Sequence, residues 1–417
     1  MKTQVKYGKT LIARNTEDAI DVLVEVTAPD VQGVERPAID VVAVIDRSGS
    51  MSGGPLEAVK DAVKQLLRFA GANDRIAVVV FDDEVETILD LKRHDDVEAA
   101  ARAVARVQTG GMTNLSGGWL KALQILTQSG RPDALRRIIV LTDGHANVGL
   151  DSIDAFAPHV SVARASGITT SCIGFADGYD EKFLAAVADA GSGNDYWCAG
   201  ADQAVRVFTE EFAGLASVAS QNLEVSIVGS ASVRKVKVRH DFPTDRVDDR
   251  TTRVTMGDVY GGETRRLLVT LKTHPTDVLG PLDLGRISLS WVSVVGESVM
   301  HSVDLPLAVT VLPTLDGVDD EGASKEAVEM AERMTAERRR REGRELADAG
   351  HFSEAAVAFS IAANHFAHLG LREEVALLSA DVETLRNQHW SPAQSKKQFS
   401  RARGTAKGRR FDYDDND

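Results

Sequence analysis

The sequence predicts an α/β protein in which a doubly wound, mostly parallel sheet is combined with an antiparallel β-sandwich and a C-terminal helical segment. Strand and helix signals alternate between residues 39 and 217, which is typical of a parallel sheet covered by helices on both faces. Residues 20–27 and 222–312 instead repeat apolar side chains with a period of two, as half-buried antiparallel strands do. Residues 324–390 show a helical period, which two glycines divide into three helices.

The alternating segment opens with a nearly continuous apolar run at residues 39–45, as expected of a central strand that is buried on both faces. In a doubly wound sheet of order 3-2-1-4-5-6, strands one and four are neighbours, and ligands bind beyond their carboxyl ends. Strand one ends at Asp46 and strand four ends at Asp143, so these two side chains should meet. The predicted strands are 39–45, 76–81, a short edge strand at 87–91, 138–142, 168–175 and 196–199, and the predicted helices are 56–69, 97–107, 116–129, 153–166 and 180–190.

The N-terminal strands have no partners nearby in the sequence, and a lone two-stranded ribbon is only marginally stable in water. We therefore expect residues 1–35 to complete the sandwich formed by residues 219–313. The doubly wound domain, residues 36–218, would then be inserted between strands of that sandwich. An independent N-terminal hairpin that packs on the doubly wound domain is the alternative.

The C-terminal part of the chain changes character twice. Residues 314–323 are predicted to be an acidic linker, and residues 324–390 a helical bundle. Four consecutive arginines at 338–341 reach every side of their helix, so at least one must turn toward the surface on which that helix packs. Residues 391–417 lack periodicity and are predicted to be a disordered tail, in which seven basic residues precede an acidic run at 411–417.

The composition of the chain indicates which partners it disfavours and which cellular compartment it fits. The chain has 417 residues, of which 48 are basic and 62 acidic, and its net charge of −14 disfavours nucleic acid or an anionic membrane as the partner. Its two cysteines, Cys172 and Cys198, are too few for a disulfide scaffold and fit a reducing compartment. The sequence contains no apolar run long enough to predict a membrane span, and no signal peptide is evident. We therefore expect a cytoplasmic protein.

Three short polar motifs carry the candidate chemistry, and they suit a small, hard cation. Mg²⁺ prefers about six oxygen ligands in near-octahedral geometry. Two serine hydroxyls at positions i and i+2 of a tight turn can face one point, a threonine adds a third neutral oxygen, and two aspartates supply negative charge. In chain order the motifs are Asp46-Arg47-Ser48-Gly49-Ser50, Gly110-Gly111-Met112-Thr113-Asn114 and Thr142-Asp143-Gly144.

In their order, spacing and local context these motifs resemble the metal-ion-dependent adhesion site of the von Willebrand factor A (VWA) family, whose sheet is Rossmann-like. The resemblance implies that Ser48, Ser50 and Thr113 ligate Mg²⁺ or Mn²⁺ directly. It implies that Asp46 and Asp143 mainly hold ligating waters, and that one position stays open for an outside oxygen.

The same resemblance implies a protein-binding module rather than an enzyme, with a partner that presents Asp or Glu to the ion. Many bacterial VWA proteins of this kind resemble substrate adaptors for AAA+ ATPases of the MoxR type, although nothing in these residues encodes that partner. One alternative is a metal-dependent hydrolase, which requires a general base near the ion. The candidate bases are Asp82, Asp83 and His145, and none of them lies in a distinctive motif. A structural subunit that holds a structural ion is the other alternative.

Overall fold

The computed structural model describes residues 1–31, 37–143, 148–175, 180–198, 217–294 and 299–406, together with residues 203, 207, 211 and 214. The chain divides into two compact units. The doubly wound unit comprises Asp30–Gln221 and Ser293–Val299, and the two-sheet unit comprises Met1–Pro29, Asn222–Val292 and Met300–Asp417.

The secondary-structure elements are numbered in chain order. The strands are β1 (Lys2–Tyr7), β2 (Leu11–Ala13), β3 (Ala19–Thr27), β4 (Ile39–Asp46), β5 (Arg75–Phe81), β6 (Val85–Lys92), β7 (Leu135–Thr142), β8 (Ile168–Phe175), β9 (Ser192–Cys198), β10 (Val218–Gly229), β11 (Val233–Val238), β12 (Thr244–Arg246), β13 (Thr251–Tyr260), β14 (Thr264–Thr273), β15 (Gly280–Ser293) and β16 (Val299–Leu312). The helices are α1 (Gly54–Phe69), α2 (Val97–Ala105), α3 (Leu115–Ser129), α4 (Ile153–Ala165), α5 (Glu181–Ala190), α6 (Lys325–Asp348), α7 (Phe352–His368), α8 (Arg372–Arg386) and α9 (Pro392–Ala406).

The doubly wound unit is built on a six-stranded sheet of order β6-β5-β4-β7-β8-β9. Its strands are parallel except for the edge strand β6, which runs antiparallel to β5. Counted within the unit, this order is 3-2-1-4-5-6, and the predicted fold class is confirmed. Every residue of the central strand β4 is buried, which explains its nearly continuous apolar sequence.

One face of this sheet is closed by a core of aromatic and aliphatic side chains. Trp119 of α3 is fully buried, and its ring meets that of Phe156 of α4 edge to face, with centroids 5.2 Å apart. The indole Nε1 donates to the hydroxyl of Thr170 on β8 at 3.0 Å, so the one polar atom of this large ring is satisfied. The two cysteines, Cys172 and Cys198, are buried free thiols.

The two-sheet unit contains a four-stranded sheet of order β1-β3-β14-β11 and a six-stranded sheet of order β12-β13-β10-β15-β16-β2. Strand β3 pairs with β1 on one side and with β14 on the other, antiparallel in both cases. Strand β2 lies at an edge of the second sheet, parallel to β16. N-terminal strands and strands from beyond residue 222 therefore occupy the same sheets.

Helices α6 to α9 belong to the same unit. Ala327 and Met334 of α6 pack on Leu23 of β3 and Leu268 of β14, which attaches the helices to the four-stranded sheet. Farther along, α6, α7 and α8 share a core built around Phe359, Phe366, Leu378 and Leu385. Within the part of the chain that the structure describes, no helix is both long and apolar enough to span a bilayer.

The tail predicted at residues 391–417 differs in the structure, because Pro392–Ala406 forms helix α9. Polar contacts hold this helix: Ser395 donates to Asp348 at 2.9 Å, and Gln398, only 1% exposed, donates to Asp381. Burial of this kind leaves no apolar period in the sequence, which is why the pattern did not reveal a helix. Residues 407–417 lie outside the described part of the chain.

Leu23 tests how α6 is attached to the four-stranded sheet. Leu23→Ala removes buried methyl groups against Leu268, Ala327 and Met334, so we expect a loss of about 2–5 kcal/mol in the unfolding free energy of the two-sheet unit. Urea unfolding, with hydrogen exchange to locate the change in β3, β14 and α6, measures it. Val328→Ala on α6 is the matched control, since Val328 is 51% exposed and should change stability by less than about 0.5 kcal/mol. Equal losses in the two variants would contradict the packing.

Candidate metal centre

The candidate site lies where two neighbouring parallel strands end. β4 and β7 pair in register up to Ile45 and Leu141, so Asp46 and the Thr142–Asp143 pair emerge side by side at the carboxyl edge of the sheet. After Asp46 the chain turns through a short 3-10 helix, Gly49–Met51, in which Met51 is fully buried. The buried side chain of Met51 anchors the turn in the core, while Ser50 in the same turn is exposed.

A chain of hydrogen bonds joins four of the five predicted ligand residues. The backbone N–H of Ser48 donates to Asp46 Oδ1 at 2.8 Å, and the hydroxyls of Ser48 and Ser50 lie 3.1 Å apart. Ser50 Oγ donates in turn to Asp143 Oδ1 at 2.8 Å. Thr142 Oγ1 donates to the other oxygen of Asp46, a contact that the sequence did not predict.

The fifth predicted residue, Thr113, lies in a loop that is bound to the serine turn by its backbone. Gly110 N–H donates to the carbonyl of Arg47 at 2.7 Å, and Gly49 N–H donates to the carbonyl of Gly111 at 3.0 Å. Thr113 itself is 4% exposed. Asn114 follows as the N-cap of α3, where its Oδ1 accepts from the N–H of Gly117 at 2.9 Å. Thr113 is thus held between a pinned loop and a capped helix.

A third carboxylate, that of Asp82, holds these two loops together. β4 and β5 pair Asp46 with Phe81, so Arg47 and Asp82 are the next residues on adjacent strands. Arg47 donates to both oxygens of Asp82, through Nε at 3.2 Å and Nη2 at 3.3 Å. Asp82 also accepts from Gly111 N–H at 3.3 Å, and its carbonyl accepts from Asn114 N–H at 2.9 Å. The sequence places Asp82 directly after a strand, but the residue-by-residue pairing of β4 with β5 that brings it beside Arg47 is not determined by periodicity.

The pKa values of Asp46 and Asp143 are raised, whereas the pKa of Asp82 is lowered. Burial raises the pKa of Asp46 to about 6, against its bonds from Thr142 and Ser48, and the nearby charge of Asp143 raises it further. Burial likewise raises the pKa of Asp143. Burial would also raise the pKa of Asp82, but hydrogen bonds from Glu84 N–H, Arg47 and Gly111 N–H outweigh it and hold that pKa below its usual value.

The residues present fit a divalent cation. Among the described residues, no lysine or arginine lies within ion-pair distance of Asp46 or Asp143, so two buried carboxylates face each other without a cation from the chain. Neutral serine hydroxyls lie between them. Groups of three or more His, Cys, Asp or Glu suited to a metal are absent from the described part of the chain. A cation here would therefore rely on mixed hydroxyl and carboxylate oxygens, a set that suits Mg²⁺ or Mn²⁺.

The candidate bases for a hydrolase have different surroundings. Both oxygens of Asp82 are engaged by Arg47, and its lowered pKa makes it a weak base. Asp83 is exposed and lies against Gly111, where an added Cβ would meet its Oδ1 at 1.9 Å. His145 and Gly144 lie outside the described residues.

Comparison with known proteins gives a domain family for the doubly wound part. Residues 40–221 match the model of the von Willebrand factor type A domain. The uncharacterized protein sll0103 of Synechocystis sp. is 25% identical over 285 residues, 66% of this chain and 67% of that protein. The uncharacterized protein YfbK of Escherichia coli is 27% identical over 261 residues, 60% of this chain and 44% of that protein. The chain thus spans less than half the length of the second relative.

Two solved structures resemble the chain over most of its length. A von Willebrand factor type A protein from Catenulispora acidiphila covers 90% of this chain and 88% of its own, with a TM-score of 0.71 at 19% identity. The ArnB paralog VWA2 from Sulfolobus acidocaldarius covers 97% of both chains, with a TM-score of 0.64 at 16% identity. At these identities the likeness concerns the fold alone, and it extends well beyond the doubly wound unit.

The raised pKa of Asp46 predicts a metal-dependent stability that changes with pH. Without metal, the folded state holds the proton more tightly than the unfolded state, so stability falls as pH rises from about 4 to about 6. Above that range the charged carboxylate lowers the free energy of unfolding by roughly 3 kcal/mol. A bound cation favours the charged form, so Mg²⁺ should raise the melting temperature at pH 7.5 much more than at pH 5. Melting curves with Mg²⁺ or EDTA at both pH values check this. Asp46→Asn should abolish the difference, and an equal Mg²⁺ effect at both pH values would contradict it.

The loop carrying Thr113 gives a second prediction. A Cβ at Gly110 would lie 1.8 Å from Asp82 Oδ2, so Gly110→Ala must displace the carboxylate that Arg47 and Gly111 hold. We expect Mg²⁺ affinity, measured by calorimetry, to fall by about tenfold or more, since displaced supporting groups weaken metal sites by about 10–100-fold. Gly54→Ala is the matched control, because no atom lies within 4 Å of its added Cβ. Unchanged affinity in Gly110→Ala would show that the clamp does not position the ligands.

Proposed function

We propose that this chain, whose residues 40–221 form a von Willebrand factor type A domain, is a protein-binding module that captures a partner's carboxylate through a divalent cation. Domains of this family typically mediate protein interactions. The observation that carries the proposal is the hydrogen-bonded chain from Asp46 through Ser48 and Ser50 to Asp143, which contains two buried carboxylates and no cation of its own.

The proposed ligands divide by charge. Ser48, Ser50 and Thr113 would ligate Mg²⁺, or Mn²⁺, through neutral oxygens, and Asp46 and Asp143 would act mainly through bound waters. An ion held by so few direct negative ligands keeps much of its positive charge. It would therefore attract an anionic oxygen from outside the chain. An Asp or Glu of the partner should therefore complete the shell better than a neutral side chain.

The site is reachable by a macromolecule. Ser50 and its neighbour Gly49 are exposed, and Met112, next to Thr113, is 52% exposed. Small residues in the turn leave the approach open, while an apolar side chain beside it offers contact area. Because backbone bonds and the Asp82 clamp fix both loops before any partner arrives, binding would order few groups at the site.

The partner class is an inference from resemblance: an AAA+ ATPase of the MoxR type, for which this chain would act as an adaptor. A metal-dependent hydrolase is the second candidate function, and Asp82 weakens it because its oxygens are engaged by Arg47 and its pKa is lowered. A subunit with a purely structural ion is the third. These candidates differ in what removal of the metal should do.

The interaction proposal predicts metal-dependent binding. A partner recovered by affinity capture in Mg²⁺ should dissociate in EDTA and rebind with Mg²⁺ or Mn²⁺. Asp46→Ala and Thr113→Ala should weaken binding about 100-fold or more, since one buried charged contact is worth about 2–5 kcal/mol, and they should leave the circular dichroism spectrum unchanged. Ser48→Ala should weaken binding as well, and Ser52→Ala is its matched control, because Ser52 lies in the same turn but outside the proposed ligand set.

Two results would overturn the proposal in different ways. Binding that survives both chelation and Asp46→Ala would leave at most a structural ion at the site. Turnover of ester, phosphoester or peptide substrates in Mg²⁺ that Asp46→Ala abolishes would establish the hydrolase instead.

A further inference from the structure

Five basic side chains gather in the two-sheet unit at the β11 edge of the four-stranded sheet. Two stand on the edge strand β11, one stands opposite them on β14, one follows β11, and one lies on the adjacent helix α6. Lys235 and Lys272 are directly paired across the two strands. The basic cluster is Lys235, Lys237, Arg239, Lys272 and Arg338.

The basic cluster has no acidic counterpart in the described part of the chain. No ion pair joins any of its members to a carboxylate, and Arg239 donates to two neutral hydroxyls, Thr335 at 2.9 Å and Thr270 at 3.4 Å. Partial burial lowers the pKa of Lys237, and the four other members of the cluster lower it further. At the opposite edge of the same sheet, by contrast, Lys6 pairs with Glu25 at 2.7 Å and with Glu326 at 3.4 Å.

Protection of a sheet edge against pairing with another chain explains only part of this arrangement. Lysines on an edge strand discourage pairing with another chain, and this accounts for Lys235 and Lys237. It does not account for Lys272 on an interior strand or for Arg338 on a helix. Like charges placed opposite each other on two strands destabilise a sheet, so the Lys235–Lys272 pair opposes folding unless an anion lies over it.

We propose that the acidic segment at residues 411–417 binds the basic cluster of the same chain. This segment carries Asp412, Asp414, Asp415 and Asp417, a high density of negative charge that matches the density of positive charge in the cluster. The inference concerns a surface separate from the candidate metal centre and does not rest on the proposed function.

The direction of α9 leads the chain toward the basic cluster. Ser395 contacts Asp348 near the end of α6, and four residues farther along Phe399 lies under Arg344, 4.8 Å from its guanidinium carbon. α9 therefore runs antiparallel to α6. Continued at the same rate, its end at Ala406 comes level with about Glu337, next to Arg338 of the basic cluster.

The chain beyond Ala406 is long enough to reach the cluster. Arg338 lies on the side of α6 that carries Met334, which packs on the four-stranded sheet, whereas α9 contacts the side that carries Arg344. The segment must therefore pass around a helix about 10–12 Å in diameter. From Ala406 to Asp412 an extended chain covers up to roughly 20 Å, which is sufficient.

Zero-length cross-linking of the full chain tests the proposal. A carbodiimide joins carboxylates to amines that are already in contact, and mass spectrometry of tryptic peptides locates the bonds. We expect the segment to link to Lys235, Lys237 or Lys272. The yield should fall by roughly fivefold in 0.5 M NaCl, where the screening length is about 4 Å.

Charge variants test the specificity of these links. Lys235→Glu combined with Lys272→Glu leaves Lys237 able to react, and its link to the segment should fall at least several-fold. Lys2→Glu combined with Lys325→Glu makes the same total charge change at exposed lysines outside the basic cluster and should leave the link unchanged. Asp414→Asn with Asp415→Asn cannot unfold a helix or strand of the described structure, and should reduce the links formed by Asp412 and Asp417.

Three outcomes would overturn the proposal. Links spread equally over exposed lysines such as Lys2 and Lys325 would show that the contact is not specific. Links that join ¹⁵N-labelled to unlabelled chains in a mixture would make a second copy the occupant. Binding of a 20-nucleotide DNA that requires Lys235 and Lys272, with no links from the segment, would make phosphate the true ligand of the basic cluster.

Discussion

Burial of Asp46 is the constraint on which the rest of the doubly wound unit depends. A carboxylate with no exposed surface at the end of a central strand opposes folding unless it is protonated, hydrogen-bonded or neutralised by a cation. The structure supplies hydrogen bonds from Ser48 N–H and Thr142, yet burial still raises the pKa of Asp46 to about 6. Because Asp143 emerges from the neighbouring strand, the same edge of the sheet also brings a second negative charge close to the first.

Among the described residues next to this edge, the cationic side chain of Arg47 is already paired with a carboxylate one strand away. Arg47 follows Asp46 directly, but its guanidinium turns to Asp82 beyond β5 and does not neutralise Asp46 or Asp143. The carboxylates at this edge therefore have two different roles. Asp82 and Arg47 hold the loops at Gly110–Gly111 and at the serine turn in fixed positions, while the two unneutralised carboxylates and the hydroxyls between them retain their affinity for an external cation.

How much of this arrangement the sequence predicted depends on the type of contact. The strand order followed from alternating apolar runs, and the adjacency of Asp46 and Asp143 followed from that order. Thr142 escaped prediction, because a threonine at a strand end has no signature that distinguishes a carboxylate partner from a place in the sheet. For Asp82 the sequence predicts only the role of a candidate base. Its bond to Arg47 depends on the pairing of β4 with β5, which periodicity alone does not determine to the residue.

For the run of four arginines, likewise, the sequence predicts that a side chain turns inward but not which partners the arginines contact. The sequence required that at least one of them turn inward, and Arg340 does: it is 1% exposed, lies 4.7 Å from the ring centroid of Phe366 and pairs with Glu374. Arg341 pairs instead with Asp241 beyond β11, while Arg338 faces the basic cluster without a carboxylate in the described structure. These three identical side chains differ in their electrostatic surroundings because the helix rotates by about 100° per residue. An arginine that pairs with a carboxylate becomes part of the packed structure, whereas Arg338, which is exposed, leaves positive charge at the surface that is available to an anion.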